Sequence, residues 1–349
     1  MAKEVFYVIN KSKRLRPIMI VIFLLLLIIL PPMSNDYIIN LGVITGIWVI
    51  LTLGLNIIMG YGGQVNIAQG ALYGVGAYAS AILTVKIQFP FILSLFLSGL
   101  IAAAIGLIFG YLTLRTAGLY FTVTTLGLGI IFHDIFLNWL GLTGGPMGFP
   151  GISRPGPINL GFLEIDFYNT LPFYYLVFIL VIATFILLNI FIKSPFGKIL
   201  VSIREDEMLA RSMGINVVSY KLIGFVLSSF FAGVAGSLYA HYIGFISPES
   251  FNLFASSLQA FVIVTVGGAG FMYGPVVGAI LLTGLPELLR MAPEFKGLIY
   301  GILLLLVNLF MPEGIVGRIN SYLKSTKLRQ KGDLQTKSTK KLKKFKEGI

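Results

Sequence analysis

Residues 90–113 read PFILSLFLSGLIAAAIGLIFGYLT, a run without a single charged side chain. An α-helix needs roughly 17–25 apolar residues to cross the hydrocarbon core of a bilayer. Runs of comparable length recur along most of the 349-residue chain, which is 56% hydrophobic and 11% charged. Soluble domains carry about 25% charged residues. We therefore predict an all-α polytopic protein of the cell membrane, surrounded by lipid bilayer. A transmembrane β-barrel would instead show alternating stretches of about 10 residues.

The apolar runs predict about ten transmembrane helices. In chain order the candidate spans are 17–32, 40–59, 66–86, 90–113, 118–140, 171–192, 219–242, 251–267, 273–289 and 297–311. The first is ambiguous, because a basic start followed by a short apolar run that ends at Pro31-Pro32 also resembles a secretory signal. No A-x-A-like cleavage site follows this run, which favours a retained first helix.

The basic residues indicate the orientation of the chain. With ten spans and a cytoplasmic N-terminus, the 26 Lys and Arg residues all fall on the cytoplasmic side except Lys86, Arg154, Arg290 and Lys296. Because cytoplasmic loops of membrane proteins are enriched in Lys and Arg, we predict that both termini are cytoplasmic. The predicted organisation is a basic cytoplasmic N-terminus (1–16), a transmembrane domain (17–317) and a basic, disordered cytoplasmic tail (318–349).

Several classes of activity are excluded by missing motifs. The sequence has no cysteine and no His or carboxylate cluster with metal-ligand spacing, so we predict no metal site. It also has no G-x-x-x-x-G-K-[ST], GxSxG or HExxH motif, so we predict no catalytic residue, no cofactor and no ATPase site in this chain. The net charge of +12 lies in membrane-flanking loops and the tail, which argues against nucleic acid as a partner.

Few ionisable residues lie within the predicted spans. His133 and Asp134 are well inside one span, while His241 and Glu287 are near span ends. Buried ionisable groups in membranes mark ion pathways, and an ion-coupled secondary transporter would need more of them than this chain offers. That alternative stays open. Asp134 either lines the translocation pathway or has a structural role beside His133.

Three amides stand out in YGGQVNIAQGALYGVGAYASAIL, residues 61–83. Gln64, Asn66 and Gln69 follow a glycine-rich segment, and a buried amide without a partner costs about 1–3 kcal/mol. The amides must therefore face each other, irregular backbone or a hydrated cavity. Irregular backbone is tolerated in a membrane only where it is buried in protein or lines water. We predict that residues 60–70 form a broken start to the third helix, with these amides on the translocation pathway.

The longest predicted internal loop, 193–219, has helix signals. Ser194-Pro195 is typical of a helix start, Ser202 to Glu205 have capping-box spacing, and Gly214 suits a left-handed helix end. Two short helices are predicted, with six apolar anchors: Ile199, Leu200, Ile203, Met208, Leu209 and Met213. Charged residues crowd the turn between them: Arg204, Glu205, Asp206, Glu207 and Arg211. Such a hairpin either docks a soluble partner or lies on the bilayer surface.

Eight motifs extend along most of the chain. In order they are GYGGQVNIAQGALYGVGAYASAIL (60–83), LRTAGLYFTVTTL (114–126), NWLGLTGGPMG (138–148), SPFGKILVSIREDEMLARSMGINVVSYKL (194–222), AGVAGSLYAHYIGFISPESF (232–251), VGGAGFMYGPVVGAILL (266–282), LPELLR (285–290) and MPEGIVG (311–317). In this order they resemble the M-type permease subunit of bacterial branched-chain amino-acid ABC transporters.

The resemblance implies a function in import and a set of partners. The partners are a second homologous permease subunit, two cytoplasmic ATP-binding subunits and an extracytoplasmic substrate-binding protein. The 194–214 segment is similar to the coupling loop of importer permeases, in which Ala210 and Gly214 hold the A-x-x-x-G spacing. The positions before Ala210 depart from the Glu-Ala-Ala pattern of other importers. The substrate would be branched-chain or other hydrophobic amino acids, and related permeases for urea, short amides or other amino acids are the alternative.

Overall fold

The structure is a computed structural model that describes residues 31–116, 118–159, 164–288, 301–302, 305–306, 309, 311 and 313–322. The predicted span 17–32 and the segment 1–16 therefore lie almost wholly outside the described residues, as do most of span 297–311 and most of the tail. Residues 314–322 are helical, so helical structure continues past the predicted start of the tail at 318.

The described part of the chain is mainly helical. In chain order the helices are α1 (Asp36–Asn56), α2 (Gln69–Ala81), α3 (Phe91–Thr113), α4 (Leu119–Asn138), α5 (Leu140–Thr143), α6 (Thr170–Lys193), α7 (Pro195–Glu205), α8 (Glu207–Ser212), α9 (Val217–Ile243), α10 (Leu258–Gly267) and α11 (Gly274–Leu288). Three π-helical turns extend them: Ile57–Tyr61 after α1, Ile82–Lys86 after α2 and Leu253–Ser257 before α10.

Five of these helices are long and apolar enough to cross a bilayer. They are α3, α4, α6, α9 and α1 with its π-helical turn, which together run Asp36–Tyr61. The prediction of a mainly helical membrane protein is confirmed, while the count of ten spans and the cytoplasmic termini stay predictions. The predicted spans 251–267 and 273–289 correspond to shorter apolar helices, Leu253–Gly267 and Gly274–Gly284, among the residues described. A helix of about 15 residues is roughly 22 Å long, which is less than the hydrocarbon thickness of a bilayer.

The bundle has two distinct ends. At one, which we call the hairpin end, α7 and α8 lie between α6 and α9 and form the 194–214 hairpin. At the other, the loop end, residues 149–153 of the segment 139–169 lie against the C-terminus of α9. There β1 (Phe149–Pro150) pairs antiparallel with β4 (Phe245–Ile246), and β2 (Ile158–Asn159) pairs with β3 (Glu164–Ile165). His241 Nδ1 lies 2.8 Å from the Ser153 carbonyl oxygen and fastens this segment to α9.

Helix α9 lies at the centre of the bundle, against α1, α2 and α3. Its contact with α2 is made backbone to backbone. A Cβ on Gly236 would lie 2.0 Å from the Tyr73 carbonyl oxygen, and a Cβ on Gly76 would lie 2.3 Å from the Gly233 Cα. Small residues allow helices to approach this closely in lipid, where no hydrophobic force drives helices together. The glycines of these two helices therefore have a packing role.

This contact predicts a large effect from a single methyl group. Gly236→Ala should lower the free energy of unfolding by about 1–3 kcal/mol or more, because the methyl group meets backbone that cannot rotate away. Gly127→Ala in α4 is the matched control, since nothing lies within 4 Å of a Cβ there. Thermal unfolding of the purified protein measures both variants. Equal melting temperatures for the two would contradict a tight α2–α9 contact.

Candidate functional site

The chain between α1 and α2 is irregular within the bundle. After Tyr61 the backbone leaves the helix, runs through residues 62–68 and starts again at Gln69, as the sequence predicted. Gly63 adopts a φ of 67°, which glycine tolerates and other residues rarely adopt. The amide of Gln69 reaches the Leu51 carbonyl oxygen at 3.3 Å, ten residues before the end of the α1 span. Helix α2 therefore begins well inside the bundle rather than at its surface.

Gln69 joins three helices through its side-chain amide. Its Nε2 donates to the carbonyl oxygens of Leu51 in α1 and Ser228 in α9, both at 3.3 Å. Its Oε1 accepts from Asn66 Nδ2 at 3.2 Å and from Ser228 Oγ at 3.1 Å. Gln69 and Asn66 are fully buried. All the polar atoms of the Gln69 amide are thus bonded within the protein, and we refer to Asn66, Gln69 and Ser228 as the amide cluster.

Side-chain oxygens accept from three N–H groups at the start of α2, those of Ile67, Ala68 and Gly70. The Ile67 N–H donates to Thr125 Oγ1 of α4 at 3.2 Å, and the Gly70 N–H donates to Ser257 Oγ at 3.1 Å. The Ala68 N–H donates to Asn66 Oδ1 at 2.9 Å. A helix start in the middle of a bundle leaves N–H donors unpaired, and these side chains supply the acceptors. Sequence reasoning missed Thr125 and Ser257 because hydroxyls are common in helices and carry no spacing signal.

Gln64 differs from the other two predicted amides. It is 8% exposed, and its Oε1 has no hydrogen-bond partner among the described residues. Asp134 is farther away: it is nine residues along α4 from Thr125, which corresponds to about 13 Å. Its side chain is 63% exposed, and His133 lies 3.9 Å from it and 3.8 Å from Glu249. The structure thus brings Asn66 and Gln69 together but not Asp134, and the Glu287 side chain lies outside the described residues.

The 194–214 hairpin consists of two short helices, as predicted. Ser194 Oγ accepts from the Gly197 N–H at 3.4 Å and caps α7. Gly214 has a φ of 81° and ends the second helix, where the Ile215 N–H donates to the Ala210 carbonyl oxygen at 3.2 Å. The capping box predicted at Ser202 is wrong. Ser202 lies within α7 and its Oγ donates to the Lys198 carbonyl oxygen at 3.0 Å.

The cap of the second hairpin helix is Asp206. Its side chain accepts from the Leu209 N–H at 2.9 Å, and a carboxylate at a helix N-terminus also interacts favourably with the helix dipole. Glu205, beside it, is exposed. Asp206 is itself a preferred capping residue, and it sits four residues later than the position that the sequence reasoning chose.

The apolar residues of the hairpin face in two directions. Leu200 and Ile203 are buried, together with Ala210, whereas Met208 is 82% exposed and Met213 is 77% exposed. Leu209 is also exposed. The prediction of six apolar anchors is therefore wrong for three of them. Because exposed contiguous apolar side chains mark interaction surfaces, we refer to Met208, Leu209 and Met213 as the apolar tip of the hairpin.

Arg204 connects the hairpin to the membrane helices. Its Nη1 donates to the Gly60 carbonyl oxygen in the π-helical turn after α1. Its side chain also lies against Gly63 and Gly270, since a Cβ on Gly63 would be 2.9 Å from Arg204 Cγ and one on Gly270 would be 2.5 Å from Nη1. The Asn56 Oδ1 accepts from the Gly270 N–H at 2.9 Å. We refer to the surroundings of the Arg204 side chain, formed by Gly60, Gly63, Gly270 and Asn56, as the Arg204 seat. Sequence reasoning missed Asn56, although an amide within an apolar run was a usable signal.

A buried lysine holds the second hairpin helix. Lys221 of α9 is 3% exposed and its Nζ lies 2.6 Å from Glu207 Oε2, while Arg211 lies 2.7 Å from Glu207 Oε1. Burial opposes ionisation of Glu207, but hydrogen bonds and charge from Lys221 and Arg211 outweigh it, so the pKa of Glu207 is lowered. Glu207 is therefore ionised at neutral pH. A depressed carboxyl pKa means that this contribution to stability is present at neutral pH and is lost only as the pH falls through the lowered value.

A cavity of about 530 Å³ lies in the half of the bundle toward the loop end. Residues of α1, α2, α9, α10 and α11 line it, together with the turn before α10. Because the lining comes from segments that are far apart in sequence, no single motif indicated it. Its volume is within the range of roughly 300–1,000 Å³ that is typical of small-molecule sites.

Comparison with known proteins identifies relatives over nearly the whole chain. Residues 37–308 match the family described as the permease component of branched-chain amino acid transport systems. The chain is 33% identical to the high-affinity branched-chain amino acid transport system permease protein LivM of Escherichia coli K12, over 95% of this chain and 82% of that protein. It is 27% identical to LivH of the same strain, over 78% of this chain and 91% of that protein.

A more distant relative is named for a different substrate. The chain is 26% identical to the autoinducer 2 import system permease protein LsrC of Yersinia enterocolitica, over 78% of this chain and 66% of that protein. No solved structure matches the chain.

The amide cluster makes a prediction about stability. Gln69→Leu should destabilise the protein by about 1–3 kcal/mol, because Asn66 Nδ2 and Ser228 Oγ lose their acceptor in a buried site. Gln64→Leu is the matched control and should leave stability nearly unchanged, since it removes an oxygen that has no partner in the described part of the protein. Thermal unfolding in detergent measures both, and equal losses would show that the amide cluster does not hold the helices together.

Proposed function

The chain belongs to the permease-component family of branched-chain amino acid transport systems, and from this premise we propose that it is the transmembrane permease subunit of an ATP-driven importer. It moves branched-chain and other hydrophobic amino acids across the plasma membrane into the cytoplasm. The observation that carries the proposal is the identity with a high-affinity branched-chain amino acid permease over 95% of this chain.

The proposed assembly follows the pattern that the motifs imply. Its other members are a second homologous permease, two cytoplasmic ATP-binding subunits and an extracytoplasmic binding protein. ATP hydrolysis belongs to the ATP-binding subunits, since the sequence contains no phosphate-binding loop of the G-x-x-x-x-G-K-[ST] type. We propose ten spans with both termini in the cytoplasm, which places the 194–214 hairpin on the cytoplasmic side and the segment 139–169 outside.

Coupling in this proposal runs through the 194–214 hairpin. The apolar tip binds an ATP-binding subunit, and closure of the two ATP-binding subunits shifts the hairpin. Arg204 passes that displacement to the π-helical turn at Gly60 and to the turn at Gly270. Gly60 precedes the irregular segment 62–68 directly in the chain, so a shift of the hairpin bears on the start of α2. Glu207 and Lys221 keep the hairpin attached to α9 during this movement.

The polar residues at the break supply the inner part of the pathway in this proposal. The Gln64 Oε1 has no partner among the residues that the structure describes, while Asn66 and Gln69 close the bundle through their mutual hydrogen bond. Asp134, on the exposed side of α4, belongs to the pathway only if a second subunit covers that side.

Gln64→Leu should keep the fold but lower uptake, because it removes the Gln64 oxygen from the proposed pathway. Normal uptake in that variant would mean that residues 60–70 serve only in helix packing.

The proposed function predicts ATP-driven uptake. Proteoliposomes that contain the complete complex should accumulate leucine when ATP is inside and the binding protein is outside, and an uncoupler should not reduce this uptake. Collapse of uptake with an uncoupler, at constant ATP, would instead favour an ion-coupled secondary transporter. Excess urea, acetamide or other amino acids in the same assay identifies the substrate class, because a true substrate competes with leucine for uptake.

The apolar tip predicts where the ATP-binding subunit docks. Met208→Asp combined with Met213→Asp should abolish copurification of the ATP-binding subunits, because two carboxylates would enter an apolar contact. Met147→Asp is the matched control, since Met147 is 85% exposed at the opposite end of the bundle. Arg204→Ala should keep the partner bound but reduce uptake. Unchanged copurification in the double variant would contradict the docking proposal.

A further inference from the structure

The cavity at the loop end reaches the depth at which transporters bind their substrates. Its wall follows α1 from Tyr37 to Trp48. Trp48 is at the middle of the 26-residue span Asp36–Tyr61, while Tyr37 is in its first turn. Secondary transporters hold their substrates near the midplane of the bilayer. The cavity thus extends from one end of the bundle to about half of its depth.

One side of the cavity is a continuous aromatic wall. The rings of Trp48 and Tyr73 are stacked, with their centroids 6.3 Å apart, and the rings of Tyr73 and Tyr239 are 5.6 Å apart. Leu41, Ile44 and Leu282 add aliphatic surface. Aromatic faces bury large apolar areas and attract cations through their ring quadrupoles. The wall therefore suits a ligand with both an aliphatic part and an ammonium group.

Four polar groups of the wall have no hydrogen-bond partner within the described part of the chain. Trp48 Nε1, the hydroxyls of Tyr73 and Tyr239, and the Gln259 amide make no side-chain hydrogen bond to any residue that the structure describes. Tyr73 is only 3% exposed overall. Buried polar groups are normally satisfied by protein, water or ligand. The four residues belong to four different helices, α1, α2, α9 and α10, and all of them line the cavity.

The cavity offers no full charge to a ligand. Its described lining contains no Asp, Glu, Lys, Arg or His. Transfer of an ion with a net charge from water into this cavity would be unfavourable, because the cavity has no opposite charge to pair with it. A zwitterion carries both charges itself. The indole and amide N–H groups and the tyrosine hydroxyls can donate to a carboxylate, and the Gln259 carbonyl oxygen with the aromatic faces can accept an ammonium group. The lining therefore disfavours ligands with a net charge and is compatible with a zwitterionic amino acid.

The cavity is closed toward the hairpin end by the amide cluster. Gln69 precedes Tyr73 by one turn on the same face of α2, because residues four apart on a helix are neighbours. Tyr73 lines the cavity, and Gln69 ties α2 to Leu51 and Ser228 beneath it. Residues Val49–Asn56 of α1, below Trp48, are all buried. A ligand in the cavity is therefore accessible from the loop end and blocked toward the hairpin end.

We propose that this cavity is a binding site, within this subunit, for one net-neutral amino acid with an aliphatic side chain. The aliphatic part lies against Trp48, Tyr73 and Tyr239, and the Gln259 amide with the two tyrosine hydroxyls holds the charged groups. The proposal rests on the proposed function and extends it, because it assigns substrate contacts to residues outside the motifs and above the amide cluster.

The absence of cysteine from the sequence allows a direct test by thiol labelling. Gln259→Cys is introduced into the complete complex and reacted with a membrane-impermeant methanethiosulfonate. Millimolar leucine should slow the labelling by about fivefold or more, while isobutylamine and isocaproate, which each lack one charge, should not. Gly156→Cys, in the segment 139–169 with nothing within 4 Å of its Cβ, is the control and should react equally with and without leucine.

If leucine does not slow the labelling of Gln259→Cys, the proposed binding site is wrong. Failure of the variant to react at all would also overturn it, because the cavity would then be filled by protein. Equal protection by the two singly charged compounds would overturn the assignment to zwitterions.

Uptake separates this proposal from the proposed function. The double variant Gln259→Leu with Tyr239→Phe should reduce leucine uptake about tenfold, since hydrogen bonds to charged groups are lost. ATP hydrolysis stimulated by the loaded binding protein should stay within about twofold of the wild type, because the hairpin is untouched. Tyr120→Phe, on the exposed face of α4, should change neither. If the wild-type complex imports leucine and the double variant does so equally, the cavity proposal fails alone. If the wild type imports none, the proposed function fails.

Discussion

The central physical constraint on this fold is that a helix which starts inside a membrane must have its polar groups bonded by other parts of the protein. Water is absent from the hydrocarbon core, so each unpaired backbone group there costs several kcal/mol. Gln69 meets this constraint by bonding α1 and α9 at once, and Thr125 and Ser257 accept from the N–H groups of Ile67 and Gly70. The positions of α1, α2, α4 and α9 are therefore tied to one another through a single break in the chain.

The same break lies between the two parts of the molecule that a transporter must connect. On one side the Gly60 carbonyl oxygen, just before the irregular segment, accepts from Arg204 of the hairpin. On the other side Tyr73, one turn after Gln69, lines the cavity. Fewer than fifteen residues of chain separate these two contacts. A rigid α2–α9 pair, packed backbone to backbone through Gly76 and Gly236, would respond to the break as one unit.

The sequence was informative wherever the signal was local. The apolar runs predicted the membrane helices, the glycines before Gln64 predicted the break, and Ser194 and Gly214 predicted the limits of the hairpin. The sequence did not predict the correct helix cap where two nearby residues, Ser202 and Asp206, were both suitable. It also did not predict contacts between residues that are far apart in the chain. Lys221 reads as an ordinary loop-flanking cation until its contact with Glu207 is seen. The cavity could not be predicted, since its polar groups lie on four helices with no shared spacing.

The seat of Arg204 has a consequence for how the subunit is made. Its acceptor at Gly60 lies 144 residues earlier in the chain, and the Gly270 turn that closes the seat is synthesised later than the hairpin itself. During translation the hairpin therefore leaves the ribosome before its site is complete. A protein that binds the hairpin only when Arg204 is in this site would thus select chains whose downstream turn is already in place.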